Sequence, residues 1–259
     1  MYPPNNPGDE FMRILITNDD GIHAPGLTSL EKIARQLSDD VWIVAPETDQ
    51  SGASHSLSLN DPLRLRDVGE RHYAVRGTPS DCVIMGVRHL MLDHAPDLVL
   101  SGVNRGQNLA DDVTYSGTIA AAIEGTLLGI PSIALSQAYS RGGAMSVRWE
   151  TAEAHGAAVV DRLVSAGFAD NVLYNVNFPD TAPADTGTVA FTRQGKRDQS
   201  LLQVHERHDG RGNPDYWIGF DRRPSTPPDG PDPWAVSEGL LSVTPLSLDL
   251  TLTDVFAGL

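Results

Sequence analysis

The sequence predicts an α/β fold built on a mainly parallel sheet, and two observations carry that prediction. Short apolar runs, Ile14–Thr17, Val41–Ala45, Asp97–Leu100 and Ser132–Leu135, read as strands buried on both faces, as parallel strands are. Segments of helical length, Leu27–Leu37, Pro79–Leu92 and Gly117–Leu128, lie between them, so the front half alternates strand and helix in the βαβ manner.

Taken in order, the first strand ends abruptly at Asn18-Asp19-Asp20-Gly21, a turn-forming run. The second strand gives way to a hairpin-like insertion over Leu57–Val75. Thr78-Pro79 and Ser116-Gly117-Thr118 have the composition of helix starts. A further helix over Trp149–Ala166 precedes strands at Val172–Asn177 and Thr188–Thr192. Residues Leu201–Phe220 then read as an antiparallel arm carrying Tyr216 and Trp217. The polar, Pro-rich stretch Arg222–Pro233 separates it from a closing strand, Leu241–Thr251. The expected organisation is a disordered leader at residues 1–11, a Rossmann-like core at 12–200, and a hairpin arm with a C-terminal segment at 201–259 packing on the core or on a partner subunit.

Composition narrows the partners. Against 34 acidic residues stand 19 basic ones, a formal charge of −15, which repels nucleic acid and anionic membranes over most of the surface. An anionic substrate therefore needs a local cation. The single cysteine, Cys82, rules out an intramolecular disulfide and is expected in the core. No window approaches the roughly 20 apolar residues of a spanning helix, and the opening residues lack a secretory pattern, so a cytoplasmic protein is expected.

Three polar clusters follow strands and should converge at one sheet edge. The first places Asp19 and Asp20 side by side; paired carboxylates invite a hard divalent cation such as Mg2+ or Mn2+, although a solvated turn explains the same residues. The second, Ala45–Ser56, surrounds Gly52 with hydroxyl residues suited to a neutral metal ligand, a phosphate contact or turn capping. The third, Ser101–Asn108, offers the neutral carbonyl of Asn104 and the charge of Arg105. It leads to the helix start Ser116-Gly117-Thr118, whose N–H groups suit a phosphate or an ordinary cap. The pair His205 and His208 tempts a zinc reading, but no further Cys or His clusters nearby. Absent phosphate-loop, dinucleotide and nucleophile-elbow motifs argue against those enzyme classes.

Together the clusters resemble the SurE family, the survival-protein 5′/3′-nucleotidases. The resemblance runs through Ile16-Thr17-Asn18-Asp19-Asp20-Gly21, Ala45-Pro46, Ser51-Gly52-Ala53-Ser54, Gly77-Thr78-Pro79-Ser80-Asp81-Cys82, Ser101-Gly102-Val103-Asn104-Arg105-Gly106 and Tyr115-Ser116-Gly117-Thr118. It continues in Asn175-Val176-Asn177, Thr192-Arg193-Gln194-Gly195 and Ser242-Val243-Thr244-Pro245-Leu246, covering nearly everything after residue 11. It implies a Rossmann-like core and one divalent metal, Mg2+ or Mn2+ with Ca2+ as a crystallographic substitute, held by Asp19, Asp20, Ser51 and Asn104. It also implies a homodimer or homotetramer exchanging C-terminal arms. Gln50, where many relatives carry a basic residue, and Ala110, where glycine is common, depart from the pattern.

The expected reaction is hydrolysis of nucleoside 5′- and 3′-monophosphates, with short polyphosphate as a further substrate. Asp19, Asp20 and Asn104 are the expected catalytic residues, and Asn108, Ser116, Gly117 and Thr118 the expected phosphate-binding ones. Two alternatives stay open: an aspartyl-phosphate route, and a metal-dependent nucleotide sensor without turnover.

Overall fold

A computed structural model describes residues 12–139, 147–197, 202–220 and 227–251; the expected leader lies outside them. In chain order the elements are β1 (Ile14–Thr17), α1 (Pro25–Ala34), β2 (Val41–Pro46), β3 (Arg64–Gly69), β4 (His72–Arg76), α2 (Pro79–Met85), β5 (Leu98–Arg105), α3 (Gly117–Leu127) and β6 (Ser132–Gln137). There follow α4 (Trp149–Ala166), β7 (Val172–Phe178), β8 (Val189–Phe191), β9 (Leu202–His208), β10 (Pro214–Phe220), α5 (Asp232–Ser237) and β11 (Leu241–Ser247).

Among the described residues the main sheet has nine strands in the order β3, β4, β2, β1, β5, β6, β7, β11, β8. From β4 through β7 every neighbour runs parallel. The reason lies in the residues: β1 sends Ile14 and Ile16 to one face, where α1 and α4 supply Leu30, Ile33, Val160 and Leu163. Leu15 points to the other face, with Val44 of β2 and Val99 of β5, against Cys82, Val83 and Ala121 of the α2 and α3 layer. A strand covered by helices on both sides must be apolar at every position, which is why these runs are legible as parallel strands.

Crossovers from β1 run to β2 on one side, while β5 pairs with the other side of β1. The order therefore reverses between β1 and β5, and the loops leaving their carboxyl ends open a crevice there.

Several expected bounds change. The helix expected over Pro79–Leu92 is α2 only as far as Met85, after which Gly86–Leu90 forms a wider π turn. The hairpin-like insertion expected over Leu57–Val75 is the β3–β4 hairpin, and β4 joins β2 in parallel register, so it extends the sheet. The closing strand is not set apart with the arm. β11 lies inside the sheet, antiparallel to β7 and parallel to β8, because Leu241, Ser242, Val243 and Thr244 are all buried there. Among the described residues β9 and β10 pair only with each other. Their register puts Leu202, Val204, Tyr216 and Ile218 on one face, all of them exposed.

Candidate active site

The first strand delivers Asp19 into the switch-point crevice with only 4% of its surface exposed. Asn18 holds the turn, its amide donating to the Gly21 carbonyl at 2.9 Å and accepting from the Gly21 N–H at 3.2 Å. Asp19 Oδ1 accepts from the Thr118 hydroxyl at 2.7 Å, and its carbonyl accepts from the Gln50 N–H at 2.8 Å. Those two bonds seat the second and third loops around it.

Burial is the largest influence on this carboxyl and pushes its pKa up to about 6; the Thr118 bond opposes the shift and the charge of Asp20 adds to it. Asp20 is also raised by burial, opposed by the Arg105 N–H that its Oδ2 accepts at 3.2 Å. No cationic side chain pairs with Asp19 among the described residues. A buried carboxylate beside a second one, with no cation against it, has the chemistry of a metal ligand.

Asn104 reaches the crevice through a bulge in β5. Register against β6 shifts between Ser101 and Asn104, where Gly102 has φ +139° and a β-carbon would lie 2.2 Å from the Leu135 carbonyl. The Asn104 amide nitrogen donates to the Gly106 carbonyl at 2.8 Å, leaving its oxygen as the end available to a cation. Ser51, next to Gln50, is exposed and takes its own backbone bond from N–H to Asp49 Oδ1 at 2.7 Å. Among the described residues no three His, Cys, Asp or Glu side chains gather to hold a metal ion. The donor set is therefore two carboxylates plus neutral oxygens, suited to Mg2+ or Mn2+ rather than zinc. His205 and His208 sit three apart on β9, hence on opposite faces of the hairpin.

The helix start is shared ground. Ser116 caps α3 by accepting from the Ile119 N–H at 3.1 Å, and the Thr118 hydroxyl is given to Asp19. What the first turn still offers an anion is the N–H groups of Gly117 and Thr118, which have no intrahelical partner. A β-carbon on Gly117 would stand 2.8 Å from Asp19 Cβ and 3.1 Å from Oδ2. Gly117→Ala should therefore displace Asp19 and weaken Mn2+ binding about tenfold or more while the helix survives, readable by calorimetric titration.

The profile of the family described as "Survival protein SurE" matches residues 14–201. The chain belongs to the SurE family. A protein of Methylorubrum extorquens (strain PA1) named 5'-nucleotidase SurE is 64% identical over 240 residues, covering 93% of this chain and 94% of its own. A Rhodopseudomonas palustris (strain BisB18) protein of the same name is 62% identical over 248 residues, covering 95% and 97%. The crystal structure of the SurE protein from Aquifex aeolicus superposes with a TM-score of 0.83 at 38% identity, covering 95% of this chain and 98% of that one. The expected α/β class and family are thus both found.

Within this SurE-family crevice, bonds from Asp19 and Asp20 reach the loops bearing Ser51, Asn104 and Thr118. Asn108 is placed differently from a free phosphate ligand. It is buried, its amide nitrogen donates to Ser136 Oγ at 2.9 Å, and its N–H donates to Asn177 Oδ1 at 2.8 Å. Its carbonyl accepts from Asn175 Nδ2 at 2.8 Å and Asn177 Nδ2 at 3.2 Å, a network that anchors the loop leading to α3. The roles of Asn18, Asn175 and Asn177 went unassigned in the sequence, although all three stand in the motifs that carry the resemblance.

Proposed function

We propose that the protein is a divalent-metal-dependent phosphomonoesterase that hydrolyses nucleoside 5′-monophosphates to nucleoside and phosphate, with 3′-monophosphates and short polyphosphate as further substrates. The observation that carries the reading is the meeting of the buried Asp19 carboxylate, beside Asp20 and paired with no cationic side chain among the described residues, with the open first turn of α3. The relatives named 5'-nucleotidase SurE support the substrate class.

Asp19, Asp20, Asn104 and Ser51 would hold the ion, which when bound supplies Lewis acidity toward a phosphate ester and offsets the two carboxylate charges. The chain's own contribution is orientation and charge stabilisation. Thr118 and the Arg105 N–H fix the two carboxylates, and the Gly117 and Thr118 N–H groups face the charge on the phosphoryl oxygens. Water's oxygen forms the new bond to phosphorus as the ester P–O bond breaks, and a proton from the water passes to the departing oxygen, so that the products are the nucleoside hydroxyl and hydrogen phosphate.

The test is phosphate release from 5′- and 3′-nucleoside monophosphates and tripolyphosphate, with Mn2+, with Mg2+ and with EDTA. Release from 5′-monophosphates that EDTA abolishes is the expected result. Nucleotide binding without release from any substrate would move the protein to the sensor reading. A hydroxylamine-sensitive phosphoenzyme would replace direct attack by water with the aspartyl-phosphate route.

The same reading includes a homo-oligomer joined through the β9–β10 arm. Two-stranded hairpins are at best marginally stable alone, and this one exposes Val204 by 64% and Ile218 by 76%. Val204→Lys with Ile218→Lys is expected to shift sedimentation toward the monomer; an unchanged assembly would remove the arm from the interface.

A further inference from the structure

The turn leading into α3 is held from the far end of the chain. Asp232, the first residue of α5, is completely buried, and its carboxylate reaches two backbone donors. Oδ2 accepts from the Ala110 N–H at 2.9 Å and Oδ1 from the Gly195 N–H at 2.7 Å. Burial pushes the Asp232 carboxyl up, and the Ala110 and Gly195 bonds pull the other way. Ala110 opens the 3-10 turn Ala110–Thr114 with φ +54°, a conformation that side chains with a β-carbon rarely keep without help. The next residues are fastened to the same neighbourhood: the Arg197 N–H donates to Asp111 Oδ2 at 2.9 Å, and the Arg197 guanidinium pairs with Asp112. Residues 195–197 and 232 are the two roots of the β9–β10 arm, so both roots are tied to residues 110–112.

We propose that Asp232 is a positioning residue for the phosphate-holding start of α3, acting through the Ala110 N–H and the turn that runs from there to Ser116. This rests on the function proposed above. Two accepting oxygens are needed because two donors face them. Asp232→Asn keeps the shape but turns one acceptor into a donor aimed at an N–H, leaving a buried pair unsatisfied. The expected metal ligands lie on the loops after β1 and β2 and on the bulge of β5, outside the turn from Ala110 to Ser116, so the substitution should separate phosphate from metal.

The test compares parent and D232N by calorimetry with inorganic phosphate in the presence of Mg2+, by Mn2+ titration, and by kinetics on a nucleoside monophosphate. Phosphate affinity is expected to fall about tenfold and KM to rise by a similar factor, with kcat and Mn2+ affinity within about threefold of the parent. D232N with A110G, in which glycine takes the left-handed turn freely, should recover part of that loss. The double variant also serves, if D232N does not accumulate, as the folded protein in which weakened phosphate binding is sought. Parent-like phosphate affinity in whichever variant is read overturns the proposal. So does a fall of phosphate and Mn2+ affinity together, which marks a general structural role. Phosphate binding is read without turnover, so an inactive parent refutes the enzyme reading while the role of Asp232 is still decided. A parent that binds neither ligand overturns both.

Discussion

Replacing Asp19 with Asn is expected to cut metal-dependent phosphate release by about a thousandfold, some 4 kcal/mol of transition-state stabilisation. It should also make the metal-free protein more stable at pH 7.5. The second effect follows from linkage. Burial holds the native Asp19 carboxyl at about 6, above its unfolded value near 3.8. Between those values the folded state binds more protons than the unfolded one, so stability is greatest below pH 4 and is lost as pH rises through 6. Above pH 6 the folded protein carries a buried charge that costs roughly 3 kcal/mol, which Asn does not carry. Asn still offers an oxygen to the Thr118 hydroxyl, so the packing at the first turn of α3 is retained. Thermal melts in EDTA should show the variant several degrees above the parent at pH 7.5, with most of that gap closed at pH 4.5. Divalent metal should raise the melting temperature of the parent alone. Equal metal-free stabilities at pH 7.5 would mean that Asp19 is not a buried charge. Metal stabilisation of the variant would mean that Asp19 is not a ligand.

Gly102→Ala is expected to destabilise the protein by about 3 to 5 kcal/mol, the range of a forced backbone shift plus a disfavoured φ, and to lower the melting temperature by about 10 °C. The new β-carbon would meet the Leu135 carbonyl at 2.2 Å, and that carbonyl belongs to a buried strand of the main sheet that cannot recede. The chain must relieve the clash by moving β5, and Asn104 is two residues away on the same bulge. Surviving protein should therefore bind Mn2+ weakly as well as melt early. A stable variant with parent-like metal affinity would show that the bulge does not place Asn104.

Much of the architecture was legible because its signal is local. β1 and β2 are apolar at nearly every position and β6 has the apolar run Ile133–Leu135 at its centre, and the α4 bounds matched the expected helix because its amphipathic pattern is long. Thr78 and Ser116 marked helix starts correctly because a capping hydroxyl acts within three residues. Bounds failed where a neighbour intervened. β5 runs on to Arg105 because a bulge lets polar residues stay in register with β6, and the helix after Pro79 widens into a π turn at Gly86, where a β-carbon would crowd Leu15.

At the site the division is sharper. Residue types and their places after strands pointed to Asp19, Asp20 and Asn104 as candidate oxygen donors, since the chemistry of a strand-end carboxylate pair does not depend on distant partners, whereas Ser51 was singled out from the hydroxyls around Gly52 only by the resemblance to the SurE family. The use made of each hydroxyl and amide was not readable. Ser116, Thr118 and Asn108 look alike as phosphate ligands in one dimension, yet folding spends the first on a cap, the second on Asp19 and the third on Ser136. Asp232 carried no signal because its partner Ala110 lies 122 residues away. Order along the chain specified the strands, the helices and the donor atoms. Which donors remain free for a ligand was set by hydrogen bonds across the fold, because a buried polar group must find a partner and that partner is chosen by proximity in space.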